Sequence, residues 1–234
     1  MKIAVCVKEV PDAAVTKRID PSTKRLDRSG EGALNHFDSQ AVEEALKVKE
    51  AGGEGEVVLV SDDAAPGSDL VATSRALAAA LEREGADLVL FGQQSSDSDG
   101  AVLWAAVADR LRRPVISQVA ELTVSDGKVR GKRQTEFGYD VIEAPLPAVI
   151  AVSDAINEPR YPSLKGIMSA KKKPQESLSG SDLGLDADAL GEQGSGTSVL
   201  ALGDPPPHGD ARKIEDDGSA ADQIADFLAE KKLL

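Results

Sequence analysis

The sequence predicts an α/β protein with a doubly wound, mostly parallel sheet, followed by an antiparallel hairpin region and an extended C-terminal arm. Three observations support this fold class: strands alternate with helices up to residue 119, hairpin signals run from 121 to 146, and the composition changes near residue 174. Alternating strands and helices imply crossover connections, which place helices on both faces of a parallel sheet.

The first strand is predicted at residues 2–7, where a short apolar run is continuous, as is typical of a parallel strand covered on both faces. Residues 40–51 show helical spacing of their apolar side chains, and Gly52 and Gly53 follow as a helix stop. A second strand is predicted at residues 56–61.

The next elements continue the alternation. A helix is predicted at residues 68–84, with Ser68 or Asp69 as its N-cap and Gly85 as its terminator. A strand at 87–91, a helix at 101–112 and a strand at 114–119 follow.

The pattern changes after residue 120. Residues 121–129 contain the turn signal Asp126-Gly127, and short strands at 132–139 and 141–146 follow, which together indicate antiparallel hairpins. The continuous apolar run at 148–152 then predicts another buried strand.

The domain organisation follows from composition. Residues 1–174 are predicted to form the α/β domain, and residues 175–234 a linker and C-terminal arm. The linker is rich in Ser, Gly and Asp, with one short helix at 181–190 and a strand-like run at 198–202. Residues 222–234 are predicted as an amphipathic helix whose apolar side chains need a cover, either the chain's own domain or a partner.

Composition also excludes several classes of protein. Asp and Glu outnumber Lys and Arg by 40 to 27, and the net charge of −13 argues against nucleic acid as a partner. The single cysteine, Cys6, excludes an internal disulfide framework. No apolar run reaches the roughly 18 residues of a membrane span, and Met1-Lys2 leads directly into a strand rather than a signal peptide. We therefore expect a cytoplasmic protein that is not embedded in a membrane.

Three loops are predicted to leave the carboxyl ends of strands, where open parallel sheets bind their ligands: residues 7–12, Ser61-Asp62 and residues 92–100. The third loop is small and polar, and its amides together with a helix N-terminus can hold a phosphate. Asp97 and Asp99 would repel a phosphate, so we expect them to cap the helix or to bond to the backbone. The same residues are also typical of a plain turn, and both interpretations stay open.

A second unusual segment, residues 157–173, follows the last buried strand. Pro159 ends the strand, Arg160 and Tyr161 come next, and the segment finishes with three consecutive lysines. It is either a solvated strand-to-helix connection or a surface that another protein recognises.

Several motifs, spread over almost the whole chain, carry a family resemblance. The first strand continues into Val7-Lys8-Glu9-Val10-Pro11-Asp12, and Asn35-His36-Phe37-Asp38 leads into Ala41-Val42-Glu43-Glu44-Ala45-Leu46. Pro147-Ala148-Val149 precedes Asn157-Glu158-Pro159-Arg160-Tyr161, Ile167-Met168 and the lysines 171–173. In these motifs the chain resembles the beta subunit of electron transfer flavoproteins.

The resemblance implies an electron carrier subunit rather than an enzyme, with a Rossmann-like fold of the adenine nucleotide alpha hydrolase class. In this family the alpha subunit holds the redox-active FAD, and the beta subunit binds AMP. Cys6 is interpreted as a small core residue without a redox role. The family's nucleotide site corresponds here to Cys6, Asn35, His36, Phe37, Asp38, Asp62, Gly92, Gln93, Gln94, Ser95, Ser96, Asp97, Ser98, Asp99, Gly100, Ala101, Val102 and Leu103.

The resemblance also implies partners. The family's beta subunit forms a heterodimer with the alpha subunit, which its C-terminal arm embraces. Electrons arrive from acyl-CoA or other flavin dehydrogenases and leave to an acceptor similar to electron transfer flavoprotein–quinone oxidoreductase of the respiratory chain. The family's docking loop corresponds here to Pro159, Arg160, Tyr161, Leu164, Ile167 and Met168.

Three departures from the family pattern affect these expectations. The helix and strand that normally follow the second strand are missing, so residues 61–67 are expected to connect it directly to the helix at 68–84 and to leave it at the sheet edge. Val102-Leu103-Trp104 stands where many members have Q-x-G. Gln134 follows Arg133 where an acidic residue is common, which argues against a cross-subunit ion pair at this place.

Other functional classes account for less of the sequence. An electron-bifurcating relative would hold a second FAD in the AMP site. A universal-stress-protein-like ATP-binding module would share the sheet and the polar loop, but not the N-E-P-R-Y segment or the arm. An ATP-pyrophosphatase-type enzyme needs S-G-G-x-D-S after the first strand, where this chain has Val7-Lys8-Glu9. His36 and His208 are far apart with no metal-ligand spacing around them, and no nucleophile–base motif is recognised.

Overall fold

The structure, a computed structural model, describes residues 1–12, 14–52, 56–60, 66–207 and 213–233, with the backbone alone for 56–60. Asp62, a predicted nucleotide-site residue, and His208 lie outside this part of the chain. In chain order the strands are β1 (Lys2–Cys6), β2 (Glu9–Pro11), β3 (Ile19–Asp20), β4 (Arg25–Leu26), β5 (Gly32–Leu34), β6 (Glu56–Val60), β7 (Leu88–Gly92), β8 (Val115–Ser125), β9 (Lys128–Thr135), β10 (Gly138–Pro145) and β11 (Ala148–Val152). The helices are α1 (His36–Gly52), α2 (Leu70–Glu84), α3 (Leu103–Leu111), α4 (Leu164–Ala170), α5 (Gly191–Gly194) and α6 (Ala220–Glu230).

The central sheet has the order β10-β9-β8-β11-β7-β1-β6. β6, β1, β7, β11 and the first part of β8 run parallel, and β8, β9 and β10 form an antiparallel meander at one side. This arrangement confirms the predicted α/β class with a mostly parallel sheet and a hairpin region. β6 lies at the opposite edge, as predicted, while the connection through residues 61–65 lies outside the described residues.

Each face of the sheet carries its own layer of the core. Ile3, Val5, Leu88 and Leu90 pack on one face with Ala41 and Ala45 of α1. On the other face, Ala4, Cys6, Val89 and Phe91 pack with Leu77 and Leu81 of α2 and Val107 of α3. The alternation of strand side chains between two apolar layers explains why β1 and β7 read as continuous apolar runs.

The predicted ends of α2 are confirmed in detail. The carboxylate of Asp69 accepts the backbone N–H groups of Val71 at 2.9 Å and Ala72 at 3.1 Å, as an N-cap does. At the other end Gly85 adopts the left-handed conformation, with φ of 62°, and closes the helix.

The hairpin region differs from the prediction in where its strands divide. β8 is one long strand with an irregular register between Val119 and Glu121, and Gln118 nearby has a φ of 56°. A bulge therefore bends a single strand where two strands were predicted. The turn between β9 and β10 lies at residues 136 and 137 rather than near Asp140, because Asp140 pairs with Arg133 inside the ladder.

Residues 175–199 attach to α2 through polar contacts. Arg75 donates to the carbonyl oxygen of Ala189 at 2.6 Å, and the backbone N–H of Gly196 donates to Asp69 at 2.8 Å. The short helix predicted at 181–190 consists of two 3₁₀ turns, Ser181–Leu183 and Ala187–Ala189. Residues 198–202, predicted to be strand-like, form no strand.

The chain divides into two compact units, Met1–Val199 and Leu200–Leu234. The second unit contains α6, on which no residue is buried. The predicted role of the C-terminal region as an arm stays a prediction. Among the described helices, none is both long enough and apolar enough to cross a membrane.

Candidate functional site

The carboxyl ends of β1 and β7 are joined by the side chain of Asp38, in the first turn of α1. Its carboxylate accepts the backbone N–H of Lys8, just after β1, at 2.8 Å, and the backbone N–H of Gly92, at the end of β7. A Cβ atom at Gly92 would lie 2.5 Å from Asp38 Oδ1 and 2.5 Å from the carbonyl carbon of Phe37. Only glycine therefore allows α1 to approach the strand end this closely.

Burial controls the ionisation of this position. Desolvation raises the pKa of Asp38 to about 6, although the hydrogen bonds from Lys8 and Gly92 act in the opposite direction. The thiol of Cys6 is also buried, and desolvation together with the nearby Asp38 carboxylate raises its pKa. A raised thiol pKa disfavours the reactive thiolate, which agrees with a packing role for Cys6.

Asn35 holds the polar loop that follows β7. Its side-chain amide donates to the carbonyl oxygen of Gln94 at 2.8 Å, and its side-chain oxygen accepts the N–H of Ser96 at 3.2 Å. On the far side of the loop, the indole N–H of Trp104 donates to the carbonyl oxygen of Gln93 at 3.3 Å. The loop is thus fixed from two sides through its backbone.

Asp97 lies at the centre of an ion cluster. Its side chain is fully buried, and its carboxylate pairs with Lys8 Nζ at 2.8 Å and with the guanidinium of Arg28. Desolvation alone would raise the pKa of Asp97, but the hydrogen bonds from Lys8 and Arg28 outweigh it and hold the pKa below its usual range. Lys17 adds a third cation, which donates to the carbonyl oxygen of Ser96 at 3.0 Å.

The expectation that Asp97 and Asp99 cap α3 or bond to the backbone is wrong. Asp97 is saturated by the two cationic side chains, and Asp99 accepts the side-chain amide of Gln94 at 3.2 Å. The N-cap position of α3 is Val102, and no side-chain hydrogen bond caps this end. Asp99 and Ala101, which precede it, both have a φ of 46°. The start of α3 therefore offers backbone N–H groups that no side chain caps.

Most of the predicted nucleotide-site residues come together at this edge of the sheet. Cys6, Asn35 and Asp38 are buried beneath the loop, and Gly92 to Asp97 form its first half. His36 is exposed, with its ring edge-on to Phe37 at 5.8 Å between centroids. Ser98 to Val102 form the exposed outer half of the loop, Leu103 packs against the core, and Asp62 lies outside the described residues. Among the described side chains, no three His, Cys, Asp or Glu residues could hold a metal ion.

Sequence reasoning missed Lys8, Lys17 and Arg28 as members of this site. Arg28 and Lys17 lie in the segment between β2 and α1. Arg28 contacts Asp97, 69 residues later in the chain, and Lys17 contacts Ser96, 79 residues later. The available signal was charge: residues 8–28 hold six Lys and Arg residues in a chain whose net charge is −13.

The segment after β11 forms a second candidate surface. Tyr161 is 99% exposed, Leu164 81% and Met168 65%, and no residue of α4 is buried. Ile167 is less exposed and Pro159 is half-buried. Arg160 differs from these residues, because its guanidinium turns toward α1 and pairs with Glu43 and Glu50.

The tip of the β9–β10 hairpin also exposes apolar side chains. Phe137 is 98% exposed, and Tyr139 and Val141 are more than half exposed. Arg133 of β9 has its Nε atom buried without a hydrogen-bond partner. Its neighbour Gln134 is exposed, where the family often has an acidic residue.

We expect Asp38→Asn to flatten the pH dependence of stability. The folded pKa of about 6 lies above the ordinary value of 3.8, so Asp38 contributes stability that is full below about pH 4 and is lost as the pH rises through about 6. At about 1.4 kcal/mol per pKa unit, the change in unfolding free energy is at most about 3 kcal/mol. Urea unfolding from about pH 4 to 7.5 measures this change. The unfolding free energy of the wild type minus that of the variant should fall as the pH rises. Asp140→Asn, at an exposed site on β10, is the control, and parallel curves for Asp38→Asn would contradict the prediction.

Comparisons with known proteins identify relatives over the full chain. The family model described as electron transfer flavoprotein domain matches residues 53–183. The electron transfer flavoprotein subunit beta of Mycobacterium tuberculosis is 34% identical over 263 aligned positions, which cover 99% of both chains. That of Megasphaera elsdenii is 33% identical over 271 positions, covering 100% of both. The caffeyl-CoA reductase–Etf complex subunit CarD of Acetobacterium woodii is 35% identical over 258 positions, covering 99% of this chain and 97% of the relative. These alignments are longer than the 234-residue chain, so the relatives carry residues that this chain lacks.

Proposed function

This chain belongs to the electron transfer flavoprotein family, and we propose that it is the beta subunit of a heterodimeric carrier which binds AMP and docks flavin dehydrogenases. The observation that carries the proposal is similarity to beta subunits over the full chain, together with the polar loop at the carboxyl ends of β1 and β7. The name of these relatives implies an alpha partner. We propose that the alpha subunit holds the FAD, which supplies the redox chemistry, and that this chain provides no catalytic residue of its own.

AMP would bind at the loop between β7 and α3. Backbone N–H groups at the uncapped start of α3 and in the loop are suited to a phosphate, and the partial positive charge of a helix N-terminus favours an anion there. Lys8, Lys17 and Arg28 add positive charge nearby, which offsets Asp97. The residues present therefore fit a nucleotide, and Asn35 and Asp38 would act by holding the loop rather than by contacting the phosphate.

A second FAD in place of AMP is the alternative. It is favoured by the similarity to a subunit of the caffeyl-CoA reductase–Etf complex, which covers 99% of this chain. The two proposals share the loop and the alpha partner, and they differ in the number of flavins per heterodimer.

Co-expression with an alpha subunit tests the proposed function. The expected product is a yellow heterodimer with one FAD and one AMP, measured by absorbance after denaturation and by chromatography of the released nucleotides. Two FAD and no AMP would select the alternative. A colourless homodimer that binds ATP would overturn both and support a stress-protein-like module.

Docking is proposed for the exposed face of residues 159–168, as a small contact that dissociates quickly. Electrons would pass from an acyl-CoA or other flavin dehydrogenase through this complex to the FAD, and then to a quinone oxidoreductase-like acceptor in the same cytoplasmic compartment. The exposed aliphatic side chain of Leu164 would supply the central apolar contact.

Leu164→Ala should leave the heterodimer and its flavin content intact but slow electron acceptance by about tenfold. Removing a buried leucine side chain from an interface costs on the order of 1–3 kcal/mol, and about 1.4 kcal/mol corresponds to a factor of ten. Stopped-flow reduction of the heterodimer by an acyl-CoA dehydrogenase measures the rate. Lys165→Ala, at the adjacent exposed position, is the control. Unchanged kinetics for Leu164→Ala would count against the docking role.

A further inference from the structure

Arg160 is bound to the first half of α1 through a buried carboxylate. Its Nε atom lies 2.8 Å from Glu43 Oε1, and its backbone N–H donates to Glu43 Oε2 at 3.4 Å. Glu43 is only 4% exposed, although Arg160 itself reaches solvent. One guanidinium nitrogen also reaches Glu50 at 3.1 Å, about two turns further along the helix. Arg160 is therefore fixed against α1 by side-chain and backbone bonds together.

Asn157 and Asp154 continue the same attachment. The Asn157 side chain donates to the carbonyl oxygen of Gln40 at 3.1 Å and to Glu44 at 3.1 Å. Gln40 in turn donates through its side-chain amide to the carbonyl oxygen of Asp154, also at 3.1 Å. Gln40 and Glu44 are themselves buried. The start of the loop is therefore held along successive turns of α1.

From Tyr161 to Ala170 the chain is far more exposed than this attachment. Tyr161 and Leu164 are almost fully exposed, and the seven-residue α4 buries none of its side chains. Its start is closed by Ser163, whose hydroxyl accepts the N–H of Gly166 at 3.1 Å. A helix this short is not stable in isolation. Its position relative to the sheet therefore depends on the attachments that flank it, which are residues 154–160 on one side and Glu176, paired with Arg83, on the other.

We propose that Arg160 is a positioning residue: with Glu43 as its buried counter-ion, it holds the base of the docking loop, and it does not contact the dehydrogenase. This inference rests on the proposed docking function of residues 159–168. It changes the role predicted for Arg160, because the guanidinium faces α1, where Nε pairs with Glu43 and one terminal nitrogen pairs with Glu50. Recognition would be left to the exposed apolar side chains that follow.

Glu43→Gln separates the two roles of Arg160, because a residue that is 4% exposed cannot touch a docked protein. The amide keeps the shape and one acceptor but removes the charge, so the variant should fold. In the heterodimer we expect backbone amide hydrogen exchange in residues 160–170 to accelerate by about tenfold, with β1 and β7 unchanged. For an acyl-CoA dehydrogenase reduced by its substrate, the half-saturating concentration should rise about three- to tenfold, with the limiting rate changed less than twofold.

Arg160 variants complete the test. Arg160→Ala should produce the same changes as Glu43→Gln, and the double variant should be no worse than the stronger single one, since both remove one interaction. Arg160→Lys should restore only part of the wild-type behaviour, because a lysine ammonium cannot form the bidentate contacts of a guanidinium. Glu158→Gln, at an exposed acid of the same loop, should match the wild type.

Two results would overturn the inference. One is an effect of Arg160→Ala on the half-saturating concentration with none from Glu43→Gln, which would mean that Arg160 contacts the dehydrogenase. The other is unchanged amide exchange in both variants. Leu164→Ala distinguishes a failure of the docking function: normal kinetics in that variant, with accelerated exchange in Glu43→Gln, would refute docking and still support the attachment to α1.

Discussion

Gly92→Val should unfold the α/β unit or destabilise it by about 3 kcal/mol, a large part of the stability of a domain. The added Cβ would lie 2.5 Å from Asp38 Oδ1 and 2.5 Å from the backbone carbonyl carbon of Phe37. The backbone of Phe37 cannot move aside because it belongs to the first turn of α1. The carboxylate of Asp38 cannot rotate away because it accepts the backbone N–H groups of Lys8 and Gly92. The helix would have to move off β7, and the buried carboxylate would lose a donor.

The measurement is urea unfolding of the purified chain, with the unfolding free energy taken at neutral pH. Gly92→Ala should already cost about 2 kcal/mol, since the clash involves the Cβ atom itself. Gly100→Ala is the matched control in the same loop, because nothing lies within 4 Å of a Cβ built there. A Gly92→Ala protein within about 0.5 kcal/mol of the wild type would contradict the close approach of α1 to β7.

The strands and helix ends could be predicted because their signals are local. The run at 148–152 is apolar at every position and is a fully buried strand in the structure. Asp69 and Gly85 mark the ends of α2 through the conformations that a cap and a stop require. By contrast, the bulge in β8 arises because one strand bends to pair with β11 on one side and β9 on the other. No short sequence pattern predicts such a bend.

The meeting of the loops that form the candidate site could also be predicted, but the contacts within it could not. The loops after β1 and β7 meet because parallel strands end at the same edge of a sheet. The ion cluster is different: Lys8 and Arg28 reach Asp97 across 89 and 69 residues of sequence. The aspartates in this loop look like helix caps, and only the folded chain shows cations from another segment occupying Asp97. The contact of Arg160 with α1 could not be predicted for the same reason, since its partner Glu43 lies 117 residues earlier.

The apolar face of α6 should be required for the heterodimer. Ile224, Phe227 and Leu228 have the i, i+3, i+4 spacing of one helix face, and no residue of the helix is buried within its own unit. Ile224 remains 48% exposed. Such a face gains stability only when another apolar surface covers it. An alpha subunit that covers it would turn the C-terminal unit into the predicted arm.

Replacing Ile224 and Phe227 together by aspartate should therefore abolish stable association with the alpha subunit. Each side chain is worth about 1.5–3 kcal/mol when fully buried, so the pair corresponds to a loss of at least about a hundredfold in affinity. Size-exclusion chromatography after co-expression, with flavin absorbance recorded on the same peak, measures both association and cofactor retention. Asp222→Asn with Asp226→Asn changes two acidic residues of the same helix and is the control. If the aspartate variant still elutes as a yellow heterodimer, the C-terminal helix does not hold the alpha subunit, and its apolar face must be covered elsewhere.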